Sequence, residues 1–288
     1  MRQNERNRGR MLISCPDRPG IVAAVSQFLY HCGANIVQSD QHSTDPEGGR
    51  FFMRVEFDLP NLAEQLPQIE KRFQEVADKF QMVWRMTHAG QKKRLAIFAS
   101  REDHCLQELL WRWRLGELPA EIVMVVSNHP DLEPLVRPFD IPYHHVPVNK
   151  ENREAAENVH LELLEGKVDT IVLARYMQII PPRMVQRYRN QIINIHHSFL
   201  PAFVGGKPYH QAYERGVKII GATAHYVTEE LDQGPIIEQD VQRVDHRDQV
   251  EDLKRIGRDM ERIVLARAVR WHLEDRILVY GNKTIVFS

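Results

Sequence analysis

Four short apolar runs constrain the fold of this chain more than any other feature: "RLAIFAS" (94–100), "AEIVMVVS" (120–127), "VDTIVLARY" (168–176) and "NQIINIHHS" (190–198). Each is continuously apolar rather than alternating, and helical stretches such as "DHCLQELLWRWRLG" and "NREAAENVHLELLEG" lie between them. A strand that is apolar on both faces must be covered on both. Helices returning between such strands supply that cover, which is the pattern of a parallel sheet in an α/β fold. Beyond these runs come "IIGATAHYVT", "GPIIEQDVQRV", a helical pattern from about Asp248 to Leu273, and a closing hairpin, "RILVYGNKTIVF". Asn282 and Lys283 stand at the tip of that hairpin, after Gly281.

The N-terminal part follows a different rule. A short strand leads into the turn "CPDRPG", and a helix follows with Ile21, Val22, Val25, Phe28 and Leu29 on one stripe, ended by Gly33. "ANIVQSDQHS" and "RFFMRVEFDL" alternate apolar and polar residues around "TDPEGG", which predicts a hairpin. A second helix from Pro60 to about Lys79 and a last strand in "FQMVWRMTH" complete the order βαββαβ, the split ferredoxin-like arrangement. The expected organisation is therefore a ferredoxin-like domain over 1–88, a linker over 89–94 within "HAGQKKR", and an α/β domain with a mostly parallel sheet over 95–288.

Composition narrows the partners. A net charge of −1 and a pI near 6.9 give no long-range field that would gather nucleic acid or an anionic membrane, so neither is expected. Cys15, Cys32 and Cys105 are far apart with no CxxC pair, which suits a reducing cytoplasm. "MRQNERNRGR" is polar and basic with no apolar segment behind it, so it reads as a frayed lead-in rather than a secretory signal. No apolar run approaches the ~20 residues that a membrane span requires.

The chemistry concentrates in "INIHHSFLPAF", 193–203. Successive strand side chains point to opposite faces, so Asn194 and His196 share one face while His197 faces away as a packing or supporting residue. In an open α/β sheet, ligands bind outside the carboxyl ends of the strands, which is where this pair falls. His225 closes the strand in "GATAHYVTEELDQGPII", and Asp232 precedes Gln-Gly-Pro, a tight turn that would hold its carboxylate in place. An amide can donate to a developing oxyanion, an imidazole can donate or shuttle a proton, and a carboxylate can orient a nucleophile and take its proton. Metal binding is not expected, although the chain has 14 histidines: His196 and His197 point apart, as do the neighbours in "YHH", and HExxH is absent. "VGGK", Val204 to Lys207, lacks the phosphate-loop pattern and reads as a flexible active-site loop. "WRWR" falls on a helix whose Leu106, Leu109, Leu110 and Trp113 form a core stripe.

"NIHHSFLPAF" followed by "GATAHYVTEELDQGPI" is similar to the signature of the formyltetrahydrofolate-dependent formyl transferases and hydrolases. "CPDRPGIVAAVSQFL", "EDHCLQELLWRW" and "LARYMQIIPP" extend the resemblance, over 11–288, to the deformylases of that family. The resemblance implies an ACT domain followed by a Rossmann-like formyl transferase domain. It also implies hydrolysis of 10-formyltetrahydrofolate to tetrahydrofolate and formate, supplying formate for purine synthesis and balancing one-carbon folate pools, with no cofactor. It places Asn194, His196 and Asp232 in the catalytic positions and His225 beside them in support. Folate contacts would come from Met177, Gln178, Ile179, Ala222, Thr223 and Glu230. An amino-acid effector at the ACT domain and a homo-oligomer, formed where ACT-like sheets associate edge to edge, follow from the same resemblance.

Two other readings remain: formyl transfer to an amine, and a silent sensor that only binds folate. The turn "ASREDHC" lacks the Gly- and Ser-rich loop with which phosphoribosylglycinamide formyltransferase cradles its acceptor's phosphate, and Glu102 and Asp103 would repel that anion. His197 also stands where the transferases usually place Pro. The acidic, glycine-free turn favours water as the acceptor.

Overall fold

The computed structural model describes residues 3–45, 47–201 and 208–288, so the "VGGK" segment lies outside the described residues. The chain forms two compact units, one of residues 1–92 with 274–278 and 285–288, the other of 93–273 with 279–284. The division expected from sequence assigned all of 95–288 to the second domain, whereas here the C-terminal segment contributes to both units. Arg54 supplies a reason. Its guanidinium is fully buried, and Nε donates to the Asp275 carbonyl at 2.7 Å while Nη2 donates to the Glu274 carbonyl at 2.9 Å and to the Glu56 carboxylate. A buried cation needs such acceptors, and backbone far along the chain provides them.

In the first unit, a 3-10 turn over Gln3–Asn7 leads into β1 (Arg8–Pro16), α1 (Ile21–His31), β2 (Asn35–Ser43), β3 (Arg50–Asp58), α2 (Leu62–Phe80) and β4 (Val83–His88). The sheet order β2-β3-β1-β4 is antiparallel throughout, the ferredoxin-like arrangement. Met11, Ile13 and Cys15 of β1 and Met53, Val55 and Phe57 of β3 pack with Val25, Leu29 and Phe73 in one core. Phe73 meets Phe28 and Trp84 edge-on at 5.0 and 4.8 Å, contacts of about 0.5–1.5 kcal/mol each beyond their burial. The expected frayed lead-in is partly strand. Arg8 and Arg10 belong to β1 because Asp58 and Glu56 on β3 pair with them at 2.7 and 3.2 Å.

The second unit continues with β5 (Lys93–Ala99), α3 (His104–Arg114), β6 (Ala120–Ser127), α4 (Glu133–Val136), β7 (Tyr143–His145), α5 (Arg153–Leu164), β8 (Thr170–Ala174), α6 (Pro182–Arg187) and β9 (Ile192–His196). Then come α7 (Pro208–Arg215), β10 (Ile219–Tyr226), β11 (Ile236–Arg243) and α8 (Val250–Leu273); β12 (Ile277–Tyr280) and β13 (Lys283–Val286) form a separate two-stranded sheet whose residues are divided between the two units. The main sheet runs β11-β10-β9-β8-β5-β6-β7; β5 to β9 are mutually parallel, while β10 and β11 are each antiparallel to the preceding neighbour. Ala96, Phe98, Val126, Ile171 and Leu173 are buried in its centre, as continuous apolar runs require. Strand register brings two polar residues side by side: His225 of β10 lies directly opposite Asn194 of β9. No helix of the described residues is long and apolar enough to cross a membrane.

Candidate active site

At the carboxyl ends of β8 and β9 lies a cavity of about 410 Å³, walled by Arg175 to Ile180, Asn194 to His197, His225, and Val227 to Glu229 with Leu231 and Asp232 of the following loop. His196 Nδ1 is 3.3 Å from Asp232 Oδ2, and His225 Nε2 is 3.6 Å from Oδ1. Asn194 Nδ2 is 3.2 Å from the same His225 Nε2. His225 Nδ1 lies 2.9 Å from the Tyr226 carbonyl and donates to it, so Nε2 is the ring nitrogen turned to Asn194 and Asp232. His196 Nε2 is buried and has no hydrogen-bond partner among the described residues.

Backbone geometry explains how the loop delivers its carboxylate. Asp232 adopts φ 56, in the left-handed region, and two residues on a Cβ at Gly234 would lie 1.7 Å from the Tyr226 carbonyl oxygen. Only glycine allows that close return of the chain. The His196 ring first, and the His225 ring second, hold the Asp232 carboxyl well below the usual carboxylate range, outweighing burial. Asp232 is therefore an anion at any ordinary working pH.

Comparison with known proteins gives this geometry its family. A formyl transferase family model matches residues 93–269, and an ACT domain model matches residues 10–74. The chain is 59% identical over 288 residues to the formyltetrahydrofolate deformylase of Bacillus subtilis (strain 168), covering 100% of this chain and 96% of that protein. This chain belongs to the formyltetrahydrofolate deformylase family. A solved formyltetrahydrofolate deformylase from Pseudomonas syringae pv. tomato str. DC3000 superposes with a TM-score of 0.94 at 54% identity, over 98% of this chain and 94% of that one. Glycinamide ribonucleotide transformylase 1 from Symbiobacterium toebii is similar at a TM-score of 0.64 and 33% identity, over 68% of this chain and 95% of that one. The fold class is thus an ACT domain followed by a Rossmann-like formyl transferase domain with a mostly parallel sheet.

Within this deformylase fold, the residues named from the sequence divide clearly. Asn194, His196, His225 and Asp232 come together around one point, and Met177, Gln178 and Ile179 line the cavity. Ala222 and Thr223 do not: both are fully buried, and the Thr223 hydroxyl donates to the Ser198 carbonyl at 2.9 Å while accepting from the Leu200 N–H at 3.1 Å. Their place is under the chain leaving β9, holding it rather than facing a ligand. Glu230 lies exposed on the loop, and its neighbours Glu229 and Leu231 reach the wall instead. His197 departs from expectation in the other direction. It lines the cavity, its ring 5.0 Å from that of His196, because β9 ends at His196 and strand alternation no longer governs the next residue. Burial, and then the nearby Arg175 charge, push His197 down to about 4, so it is neutral there.

Sequence reasoning missed a second polar cluster beside the site. Glu261 of α8, 1% exposed, takes His104 Nε2 at 2.8 Å, the Tyr209 hydroxyl at 2.7 Å and Arg175 Nε at 3.4 Å. A signal existed, since Glu261 stands on the same helical stripe as the buried Leu253, Gly257, Val264 and Leu265. His104, Cys105 and Glu261 are the described residues whose ligand atoms, all within 4.8 Å of one another, could hold a metal ion. The chemistry is unsuitable: Glu261 is already engaged by Arg175, and burial above all raises the Cys105 thiol well above its ordinary range.

Proposed function

We infer that this member of the family hydrolyses 10-formyltetrahydrofolate to tetrahydrofolate and formate, in the cytoplasm and without a cofactor. The observation that carries the reading is the arrangement of Asn194, His196 and Asp232 around one cavity, with His196 Nδ1 against the Asp232 carboxylate. Asp232 orients a water and takes its proton as the water oxygen bonds to the formyl carbon. A carboxyl this acidic does not keep the proton, which passes through the His196 imidazole to N10 as the carbon–N10 bond breaks. Asn194 and His196 donate to the tetrahedral oxyanion in between. Formate departs as its newly formed acid loses a proton to solvent. Met177 and Ile179, both well exposed on the cavity wall, offer the apolar surface against which a flat pteridine can lie, with Gln178 between them.

The formate serves purine synthesis, and the reaction balances one-carbon folate pools. The ACT unit takes an amino-acid effector at the turn "DRPG", where Asp17, Arg18, Gly20 and Phe51 border a shallow cavity, and the protein works as a homo-oligomer. The deciding experiment supplies 10-formyltetrahydrofolate with no acceptor. Free formate and tetrahydrofolate in equal amounts support hydrolysis; turnover that waits for an added amine would make the protein a transferase.

A further inference from the structure

Which molecule takes the formyl group depends on what can approach the end of β9. In an open α/β sheet the ligand crevice opens where the strand order reverses, outside the carboxyl ends of the strands. Here that place is between β5 and β8: the chain steps from β5 outward to β6 and β7, then returns to the other side of β5 for β8 and β9. Protein fills it. Ser100, just past β5, accepts the Met177 backbone N–H at 3.0 Å, just past β8, and its hydroxyl donates to Asn128 Oδ1 at 2.6 Å. Alongside, Glu261 gathers His104 from the start of α3, Tyr209 from α7 and Arg175 from the residue after β8.

This cluster adjoins the reacting groups. The Tyr209 ring is 6.1 Å from the His197 ring, which is 5.0 Å from that of His196, and Arg175 and His197 both line the active-site cavity. Two local features are needed to build it. Arg175 has φ 60, a left-handed conformation that turns the chain sharply beyond β8. Gly257 on α8 leaves space for Tyr209, since a Cβ there would lie 1.9 Å from its hydroxyl oxygen. Glu261 stays ionised within it: burial opposes its charge, but His104, Arg175 and Tyr209 together bring its carboxyl below the ordinary range.

We propose that Arg175, held by Glu261 with His104 and Tyr209, determines acceptor specificity by plugging the crevice through which an amine would reach the formyl carbon, leaving that carbon to water. The inference rests on the hydrolytic reading of the site. Transfer to an amine would form a nitrogen–carbon bond, break the same carbon–N10 bond and send the amine proton to N10, so the two reactions differ only in the incoming atom.

The test gives the full-length protein 10-formyltetrahydrofolate with hydroxylamine, or with the larger semicarbazide, and measures the ratio of N-formyl product to formate. Wild type should yield formate and no formyl semicarbazide. Arg175→Gly suits the left-handed backbone there, and combined with Glu261→Gln it leaves no unpaired carboxylate. That double variant should raise the ratio at least tenfold with semicarbazide. Gly257→Ala, which drives Tyr209 from its place without altering any charge, should raise it in the same direction and decides the matter if the double variant does not fold. Folded variants that still release formate but form no formyl semicarbazide would overturn the plug while leaving hydrolysis intact. A wild type that formylates semicarbazide as readily as its variants would also overturn it. A wild type that releases no formate would remove the hydrolytic reading itself.

Discussion

Two clusters in the second unit each set imidazole against a carboxylate and differ in where that carboxylate lies. Glu261 is sealed in, with partners from three other parts of the chain on its two oxygens. Asp232 sits on a loop with its side chain 10% exposed, touches two histidines, and lines the cavity together with both of them. The first cluster is built to hold and the second to change partners. The ionised carboxylate alone distinguishes neither; its place on the cavity wall does, which Asp232 has and Glu261 lacks.

Breaking the second cluster should abolish chemistry and spare the fold. Asn194→Ala removes one oxyanion donor and should lower kcat by about 10²–10³ with little change in melting temperature. A variant within tenfold of wild type would show that Asn194 is not part of the machinery. Breaking the first cluster should do the reverse. Glu261→Gln leaves Arg175 without its anion in a buried setting, a loss of about 3 kcal/mol, which is about 10 °C in melting temperature for a unit of this size. Asp232→Asn should cost less than half of that, and equal losses would erase the distinction between holding and reacting.

A third histidine sharpens the comparison at smaller scale. His160 is 5% exposed, meets Phe98 edge-on at 5.2 Å, and is pushed by burial from the usual 6.5 down to about 4. The folded state keeps it neutral where the unfolded chain would bind a proton. Its contribution to stability is therefore complete above the unfolded value and is lost as pH falls toward the folded one, about 1 kcal/mol between pH 6.5 and 5.5. His160→Leu should flatten that part of the stability–pH curve, as denaturant melts across the range would show; an unchanged slope would mean other groups set it.

The parallel sheet was legible because strands covered on both faces must be apolar throughout, a local property. β7 was not, since Tyr143, His144 and His145 carry no such pattern and are strand only because β6 offers its edge. The start of β1 at Arg8 was equally hidden: charged residues look like a tail until Asp58 and Glu56 are known to lie opposite. Within the site, Asn194, His196 and Asp232 could be found from a strand end and a tight turn. Thr223 shares strand parity with His225 but lies two residues further from the strand end, roughly 7 Å away, beneath the departing chain. Arg175 and Glu261 belong to elements distant in sequence, and only an acid on an apolar helical stripe hinted that something buried was waiting for it.

The central claim, that water is the acceptor at the Asn194–His196–Asp232 set, is tested most directly by running a single turnover of 10-formyltetrahydrofolate in ¹⁸O-labelled water and weighing the formate. One labelled oxygen per formate, formed by the wild type and slowed in parallel in Asn194→Ala and Asp232→Asn, is the predicted result. Unlabelled formate, or labelled formate produced at the wild-type rate by Asp232→Asn, would contradict the account.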